Sequence, residues 1–122
     1  MIKVLIIEDD AWLGESYRTV LKQAGCDVVV VSNAESAMQS IDSTQPDVIV
    51  ADVMLRGQTV FALLHELQTY SDTKVIPVIL CTGLETGVMK PERLHSYGVV
   101  KILSKSTLSP AELSLTVKEY GS

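Results

Sequence analysis

Five short apolar segments alternate with longer amphipathic segments along the chain. They are IKVLII at 2–7, CDVVVV at 26–31, DVIVAD at 47–52, VIPVIL at 75–80 and GVVKIL at 98–103. Valine and isoleucine dominate, and apolar residues mostly follow one another instead of alternating with polar ones. This pattern is typical of strands that are covered on both faces, as in a parallel sheet.

The first amphipathic segment, AWLGESYRTVLKQAG at 11–25, has the period of a helix. Its large apolar residues share one face, which we expect to pack on the sheet: Trp12, Leu13, Tyr17, Val20 and Leu21. Gly25 is the expected C-cap. The segment therefore predicts a helix that connects the first two strands.

Three later helices are predicted from the residues that begin them. Asn33 and Thr59 are good N-cap residues, because their side-chain oxygens can accept a hydrogen bond from the first turn. Ser109 begins a capping box, with Pro110 at the first helical position and Glu112 three residues after the cap. Each of these helices follows one of the apolar segments.

The segment between residues 84 and 97 is less regular. Gly87 and Pro91 interrupt it, and proline is tolerated in the first turn of a helix but not in its interior. We therefore predict a short helix at 91–97, preceded by a mobile loop at 84–90.

The alternation predicts five βα units in a single domain that spans residues 1–122. With short loops and right-handed crossovers, such a chain forms a doubly wound α/β sandwich around a five-stranded parallel sheet. We expect the flavodoxin-like strand order 2-1-3-4-5. In these sheets the functional crevice lies at the carboxyl ends of the strands, near the point where the strand order reverses.

Composition and charge narrow the function classes. The chain has a net charge of −5 and a pI of about 4.9, and its ten basic residues are scattered. Direct binding to nucleic acid needs clustered Lys and Arg, so we do not expect it. The apolar runs are far shorter than the ~20 residues of a membrane span, and the N-terminus lacks a signal-peptide pattern. We expect a cytoplasmic protein without membrane contact.

Three carboxylates, those of Glu8, Asp9 and Asp10, follow the first apolar segment directly. At a separation of roughly 5 Å and an effective dielectric near 20, each like-charge pair costs on the order of 3 kcal/mol. One interpretation is that Asp9 and Asp10 cap the first helix, whose N-terminus favours acidic residues. The other is that a bound cation offsets the repulsion, and the two roles are compatible.

Asp52, Thr82 and Lys105 stand at the ends of the third, fourth and fifth predicted strands. Asp10 and Asp52, with a backbone carbonyl, are hard oxygen ligands suited to Mg²⁺. Asp52 can also attack a phosphoryl group as a nucleophile. Mg²⁺ and Lys105 would neutralise the transferring oxygens, and Thr82 could donate a hydrogen bond to the acyl phosphate. Taken singly, each residue has an ordinary explanation; together they indicate phosphoryl transfer.

This combination closely resembles the receiver domain of two-component response regulators. The resemblance covers nearly the whole chain and rests on IIEDD, DVIVADVML, VILCTG and ILSKSTLSPAEL, in this order and at these spacings. It implies that Asp52 is the phosphoacceptor and that Asp10 and Asp52 bind Mg²⁺ directly. It also implies that Asp9 binds the ion through water, and that the backbone carbonyl of Met54 is a further ligand.

By the same resemblance, Thr82 and Lys105 contact the phosphoryl group, and the domain is a regulatory switch rather than an enzyme. Its expected partners are a histidine kinase or phosphotransfer protein, and a downstream protein or output domain. A phosphorylation-independent interaction module with this fold is the alternative. A flavodoxin-like cofactor carrier is disfavoured, because carboxylates after the first strand would repel a phosphate.

The loop after the phosphoacceptor departs from the family's usual pattern. Arg56 stands where most members have proline, and Thr59 and Val60 replace Asp-Gly. Thr59 can still cap the third helix, and Gly57 can supply any positive φ that the turn requires. We expect a different loop but the same chemistry.

The sequence departs from the family's usual pattern at two further positions, both near Lys105. Ser106 replaces the usual proline, and a cis bond before a residue other than proline costs about 2.5–4 kcal/mol, so we predict a trans Lys105–Ser106 bond. Ile102 replaces the usual aromatic residue, so the family's ring flip is missing. We predict that the switch instead orders or releases the loop at 84–90.

Overall fold

The computed structural model describes residues 1–83 and 90–122. The elements in chain order are β1 (Lys3–Ile7), α1 (Ala11–Gln23), β2 (Asp27–Val31), α2 (Ala34–Thr44), β3 (Val48–Ala51), β4 (Met54–Leu55), β5 (Gln58–Thr59), α3 (Phe61–Leu67), β6 (Val78–Thr82), α4 (Pro91–Ser96), β7 (Val99–Ser104) and α5 (Pro110–Gly121). The predicted loop at 84–90 lies, except for Lys90, outside the described residues.

The five long strands form one parallel sheet in the order β2-β1-β3-β6-β7. Since β4 and β5 form a separate antiparallel hairpin, this is the predicted order 2-1-3-4-5, and the prediction is confirmed. Ile7 lies opposite Val31 on one side and Ala51 on the other, and Ala51 lies opposite Leu80. The strands therefore end at nearly the same level, and the residues that follow them meet at one edge.

Helices cover both faces of the sheet, so successive residues of the central strands β1 and β3 are buried and apolar from Val4 to Ile7 and from Val48 to Ala51. In β1, Leu5 and Ile7 pack toward α2, α3 and α4, whereas Val4 and Ile6 pack toward α1 and α5. All four side chains are buried. Within the described part of the chain, every helix falls short of the length and apolar character needed to cross a membrane.

Several helix ends are as predicted. The Asn33 Oδ1 atom accepts a hydrogen bond from the Ser36 N–H at 2.8 Å at the start of α2. The Ser109 Oγ atom accepts one from the Glu112 N–H at 3.1 Å at the start of α5. The short helix α4 begins at Pro91.

The predicted cap at Thr59 is wrong. Thr59 pairs with Met54 in the small hairpin, and α3 begins only at Phe61, after Val60, without a side-chain cap. The reason is that residues 58–59 pair with residues 54–55 instead of starting the helix. The Val60 N–H donates to the Val53 carbonyl at 2.7 Å and closes the base of this hairpin.

The predicted core position of Trp12 is also wrong, because its side chain is 75% exposed. The buried side of α1 carries Gly14, Tyr17 and Leu21. Trp12 lies five residues before Tyr17, which places it about 140° away around a helix of 3.6 residues per turn. It therefore faces solvent.

Candidate functional site

Lys105 connects three strand ends at the carboxyl edge of the sheet. Its Nζ atom donates to Asp52 Oδ2 at 2.8 Å and lies 3.0 Å from Glu8 Oε2. Its backbone N–H donates to the carbonyl of Thr82, the last residue of β6, at 3.0 Å. The ammonium therefore lies between the carboxylates that follow β1 and β3.

An acidic cluster lies beside this ammonium. Glu8, Asp9 and Asp52 each offer a carboxylate oxygen, and these oxygens lie within 4.8 Å of one another. Glu8 is buried and Asp9 is partly exposed, so the cluster opens toward solvent on one side. Hard oxygen donors from carboxylates are the ligands that Mg²⁺ prefers, and a cation there would offset their repulsion. The donor set therefore fits Mg²⁺.

Burial changes the acid–base behaviour of both ion-pair partners. It raises the pKa of Glu8 above the usual 4.5, although hydrogen bonds from Lys105 and from the Asp10 backbone N–H act to lower it. Burial alone would lower the pKa of Lys105, but its hydrogen bonds to Asp52 and Glu8, with their charges, outweigh burial and the net pKa is raised. Lys105 therefore stays charged throughout the ordinary pH range.

The raised pKa of Glu8 predicts a pH dependence of stability in metal-free buffer. The folded chain holds this proton more tightly than the unfolded chain, so the Glu8 contribution to the free energy of unfolding rises as the pH falls from neutral toward 4.5. Glu8→Gln mimics the protonated form. We expect it to be more stable than wild type at pH 7, with the difference shrinking by pH 5.

The measurement is urea unfolding of both proteins in EDTA across this pH range. Parallel stability profiles for the two proteins would contradict the assignment of this pH dependence to Glu8.

Asp10 lies at the start of α1 and not in the acidic cluster formed by the described residues. Its Oδ1 atom accepts hydrogen bonds from the backbone N–H groups of Trp12 at 3.0 Å and Leu13 at 3.1 Å. The structure thus brings Glu8, rather than Asp10, together with Asp9 and Asp52. The signal was in the sequence: Asp10 directly precedes the helix that begins at Ala11, where an N-cap residue is expected.

This placement predicts that Asp10→Ala acts mainly on stability. Losing both capping hydrogen bonds should lower the free energy of unfolding by about 1 kcal/mol. The increase in melting temperature on adding Mg²⁺ should match that of wild type. The measurement is thermal unfolding with EDTA and with Mg²⁺, using Asn33→Ala as a cap variant remote from the cluster. A lost Mg²⁺ response in Asp10→Ala alone would make Asp10 a ligand.

The remaining predicted site residues lie around the same edge. Thr82 is buried as the last residue of β6, opposite Ser104 of β7. Met54 begins β4, and its N–H lies 3.5 Å from Asp52 Oδ1. Their roles toward a phosphoryl group or a metal ion stay predictions.

Two expectations about the backbone are confirmed. The described residues contain no cis peptide bond, so Lys105–Ser106 is trans. Gly57 has a φ of 81°, as the turn after Asp52 was expected to require. Arg56 beside it also has a positive φ, 38°, which the sequence did not indicate.

Comparison with protein families gives a match over nearly the entire chain. The model of the response regulator receiver domain matches residues 4–118. The phosphate regulon transcriptional regulatory protein PhoB of Escherichia coli (strain K12) is 33% identical over 95 residues, which are 70% of this chain and 42% of PhoB. Protein PilG of Pseudomonas aeruginosa is 31% identical over 86 residues, 68% of this chain and 64% of PilG. The chain thus spans about two-fifths of the length of PhoB.

Solved structures show the same fold. The receiver domain of Francisella response regulator 1452 has a TM-score of 0.86 at 29% identity, covering 99% of this chain and 97% of its own. The chemotaxis response regulator CheY4 of Vibrio cholerae has a TM-score of 0.86 at 25% identity, covering 98% of each chain. With the match of the family model and of PhoB, these likenesses establish that the chain belongs to the family of response regulator receiver domains.

Proposed function

We propose that this receiver is a phosphorylation switch in which Asp52 accepts a phosphoryl group from a histidine kinase or a phosphotransfer protein. The observation that carries the proposal is the position of Lys105 Nζ, 2.8 Å from Asp52 Oδ2 and 3.0 Å from Glu8 Oε2, beside the acidic cluster. Phosphoryl transfer to a protein needs a carboxylate nucleophile, a positioned cation and oxygen ligands for a metal ion, and this site offers all three.

In the proposed reaction, a carboxylate oxygen of Asp52 attacks the phosphorus of a phosphohistidine. A bond forms between this oxygen and phosphorus, the bond from phosphorus to the imidazole nitrogen breaks, and the imidazole leaves with the electron pair. Lys105 neutralises charge on the transferred group, and the Thr82 hydroxyl donates to one of its oxygens. The product is an aspartyl phosphate on this chain.

Glu8, Asp9 and Asp52 would hold Mg²⁺, with the Met54 carbonyl as a further ligand. When bound, the ion would neutralise negative charge on the phosphoryl oxygens. This set replaces Asp10 by Glu8 relative to the expectation from the sequence, because Asp10 caps α1 and Glu8 points at Lys105.

The consequence of phosphorylation is a change of conformation that an output partner reads. The new group brings negative charge and acceptor oxygens to an edge where Lys105 now pairs with Asp52, so Lys105 and Thr82 are drawn to it. The partner is a downstream protein or an output domain, and the domain itself contacts neither nucleic acid nor membrane. We propose that this signalling takes place in the cytoplasm and that residues 1–122 act as one domain. The domain also contributes to its own dephosphorylation, in which water hydrolyses the aspartyl phosphate.

The test is incubation of the chain with acetyl phosphate and Mg²⁺, followed by intact mass measurement. We expect a single phosphoryl adduct that EDTA suppresses. A chain that gains no adduct, but still binds its partner, would favour a phosphorylation-independent interaction module.

A further inference from the structure

The hairpin after Asp52 turns in two residues. β4 and β5 pair in antiparallel register, with Leu55 opposite Gln58, so Arg56 and Gly57 alone form the turn. Both have positive φ, 38° and 81°, as a type I′ hairpin turn requires. Gly57 adopts such a φ without strain, whereas arginine seldom does. Arg56 therefore holds a backbone conformation that is unfavourable for arginine.

The turn also makes a hydrogen bond to a distant part of the chain. The Arg56 backbone N–H donates to Asp9 Oδ2 at 2.9 Å, joining residues 47 apart in the chain. Asp9 belongs to the acidic cluster with Glu8 and Asp52. A hydrogen bond to a carboxylate is charge-assisted and stronger than one between neutral groups. The turn is thus attached directly to the cluster.

We propose that the Arg56 backbone N–H is a positioning group for the divalent-metal site: it holds one oxygen of Asp9 in place and leaves the other for the ion. This inference rests on the proposed function, because it concerns the same site. A carboxylate accepts hydrogen bonds at both oxygens, so Oδ2 can stay on the amide while Oδ1 remains available. Groups that orient a ligand in this way typically contribute ~10- to 100-fold to metal affinity.

The backbone, and not the arginine side chain, carries this role. Within residues 1–83 and 90–122, the guanidinium of Arg56 forms no ion pair. Any residue except proline supplies the same N–H, and proline supplies none. A chain with proline at this position could not form the contact with Asp9.

The contact also links the hairpin to metal binding. If the fixed carboxylate favours the ion, the ion must favour the fixed hairpin by the same factor, since coupling between two equilibria is reciprocal. Mg²⁺ should therefore slow hydrogen exchange of the Arg56 amide, which is the donor in the contact. The Val60 amide, which closes the base of the hairpin on the Val53 carbonyl, should change less.

The test replaces Arg56 by its α-hydroxy acid in the 122-residue chain, which turns the Leu55–Arg56 peptide into an ester, removes this N–H and weakens the Leu55 carbonyl as an acceptor. The matched control is the corresponding ester at Gly57, which keeps the Arg56 N–H. Arg56→Gly serves as a second control, because it removes the side chain and keeps the amide. Binding of Mg²⁺ alone is measured by calorimetry, and thermal unfolding in EDTA checks that each protein is folded.

We expect the Arg56 ester to bind Mg²⁺ about tenfold more weakly than wild type, with both controls within about twofold of it. Equal or tighter binding by the Arg56 ester would overturn the inference and leave the proposed function intact. Equal weakening in Arg56→Gly would assign the effect to the side chain and overturn it too. A wild-type chain that binds no Mg²⁺ would overturn the metal site itself.

Discussion

Asp52→Asn should gain no phosphoryl group from acetyl phosphate under conditions that phosphorylate the wild-type chain. The amide that replaces the carboxylate is a poor nucleophile, and the substitution leaves the shape of the side chain nearly unchanged. We expect at least a ~100-fold loss of adduct, measured by intact mass over a time course with Mg²⁺. An oxygen of Asp52 lies 2.8 Å from Lys105 Nζ, so we expect this one substitution to remove the adduct.

The matched control is Asp42→Asn, which makes the same change at an exposed position of α2. It should be phosphorylated at the wild-type rate. Thermal unfolding of both variants excludes a loss caused by unfolding. Full phosphorylation of folded Asp52→Asn would show that another carboxylate is the acceptor.

Lys105→Ala should have two large effects, on stability and on switching. Its removal leaves the buried Glu8 carboxylate and that of Asp52 facing each other without their cation. Breaking a fully buried pair costs ~3–5 kcal/mol, and the Lys105 side chain keeps 21% of its surface exposed, so we expect a loss of about 2–3 kcal/mol at pH 7. The loss should be smaller at pH 5, because protonation of Glu8 removes one unpaired charge.

The same variant should still accept some phosphoryl group while losing the conformational response, because the ammonium that moves from Asp52 to the new oxygens is gone. The measurement is backbone NMR with and without Mg²⁺ and beryllofluoride, beside intact mass after acetyl phosphate. Lys101→Ala, at an exposed position of β7, the strand that precedes Lys105, is the control. A wild-type pattern of shift changes in Lys105→Ala would refute the coupling role.

The comparison with PhoB bears on what this switch would control. The receiver match occupies 42% of PhoB, a transcriptional regulator, so the remainder of that protein lies outside the matched region. PilG is matched over 64% of its length. Identification of the output therefore depends on partner capture with the phosphorylated and the unphosphorylated chain, in which the Asp52→Asn variant marks phosphorylation-dependent partners.

The features that the sequence by itself determined are those with a local cause. Strands covered on both faces must be apolar at successive positions, so the five runs of Val and Ile predicted the parallel sheet, whereas its strand order was an expectation from the doubly wound fold class. The caps at Asn33 and Ser109 bond within one turn and could be read directly. Once strand ends were located, Asp52 and Lys105 had to lie at one edge, because parallel strands end together.

Only the tertiary structure decided that Glu8 belongs to the cluster. Glu8, Asp9 and Asp10 are consecutive, so carboxylates only one residue apart take different roles, as a helix cap or as a possible metal ligand. Glu8 belongs to the site because its Oε2 atom lies 3.0 Å from the Nζ atom of Lys105, a residue 97 positions later in the chain. Asp10 caps α1 because its side chain accepts hydrogen bonds from the first turn of that helix. The pairing that turns residues 54–59 into a hairpin, and sets the Arg56 amide on Asp9, likewise joins segments whose meeting no local pattern encodes. Local propensity specifies an element, whereas the identity of its contacts depends on what the rest of the fold brings beside it.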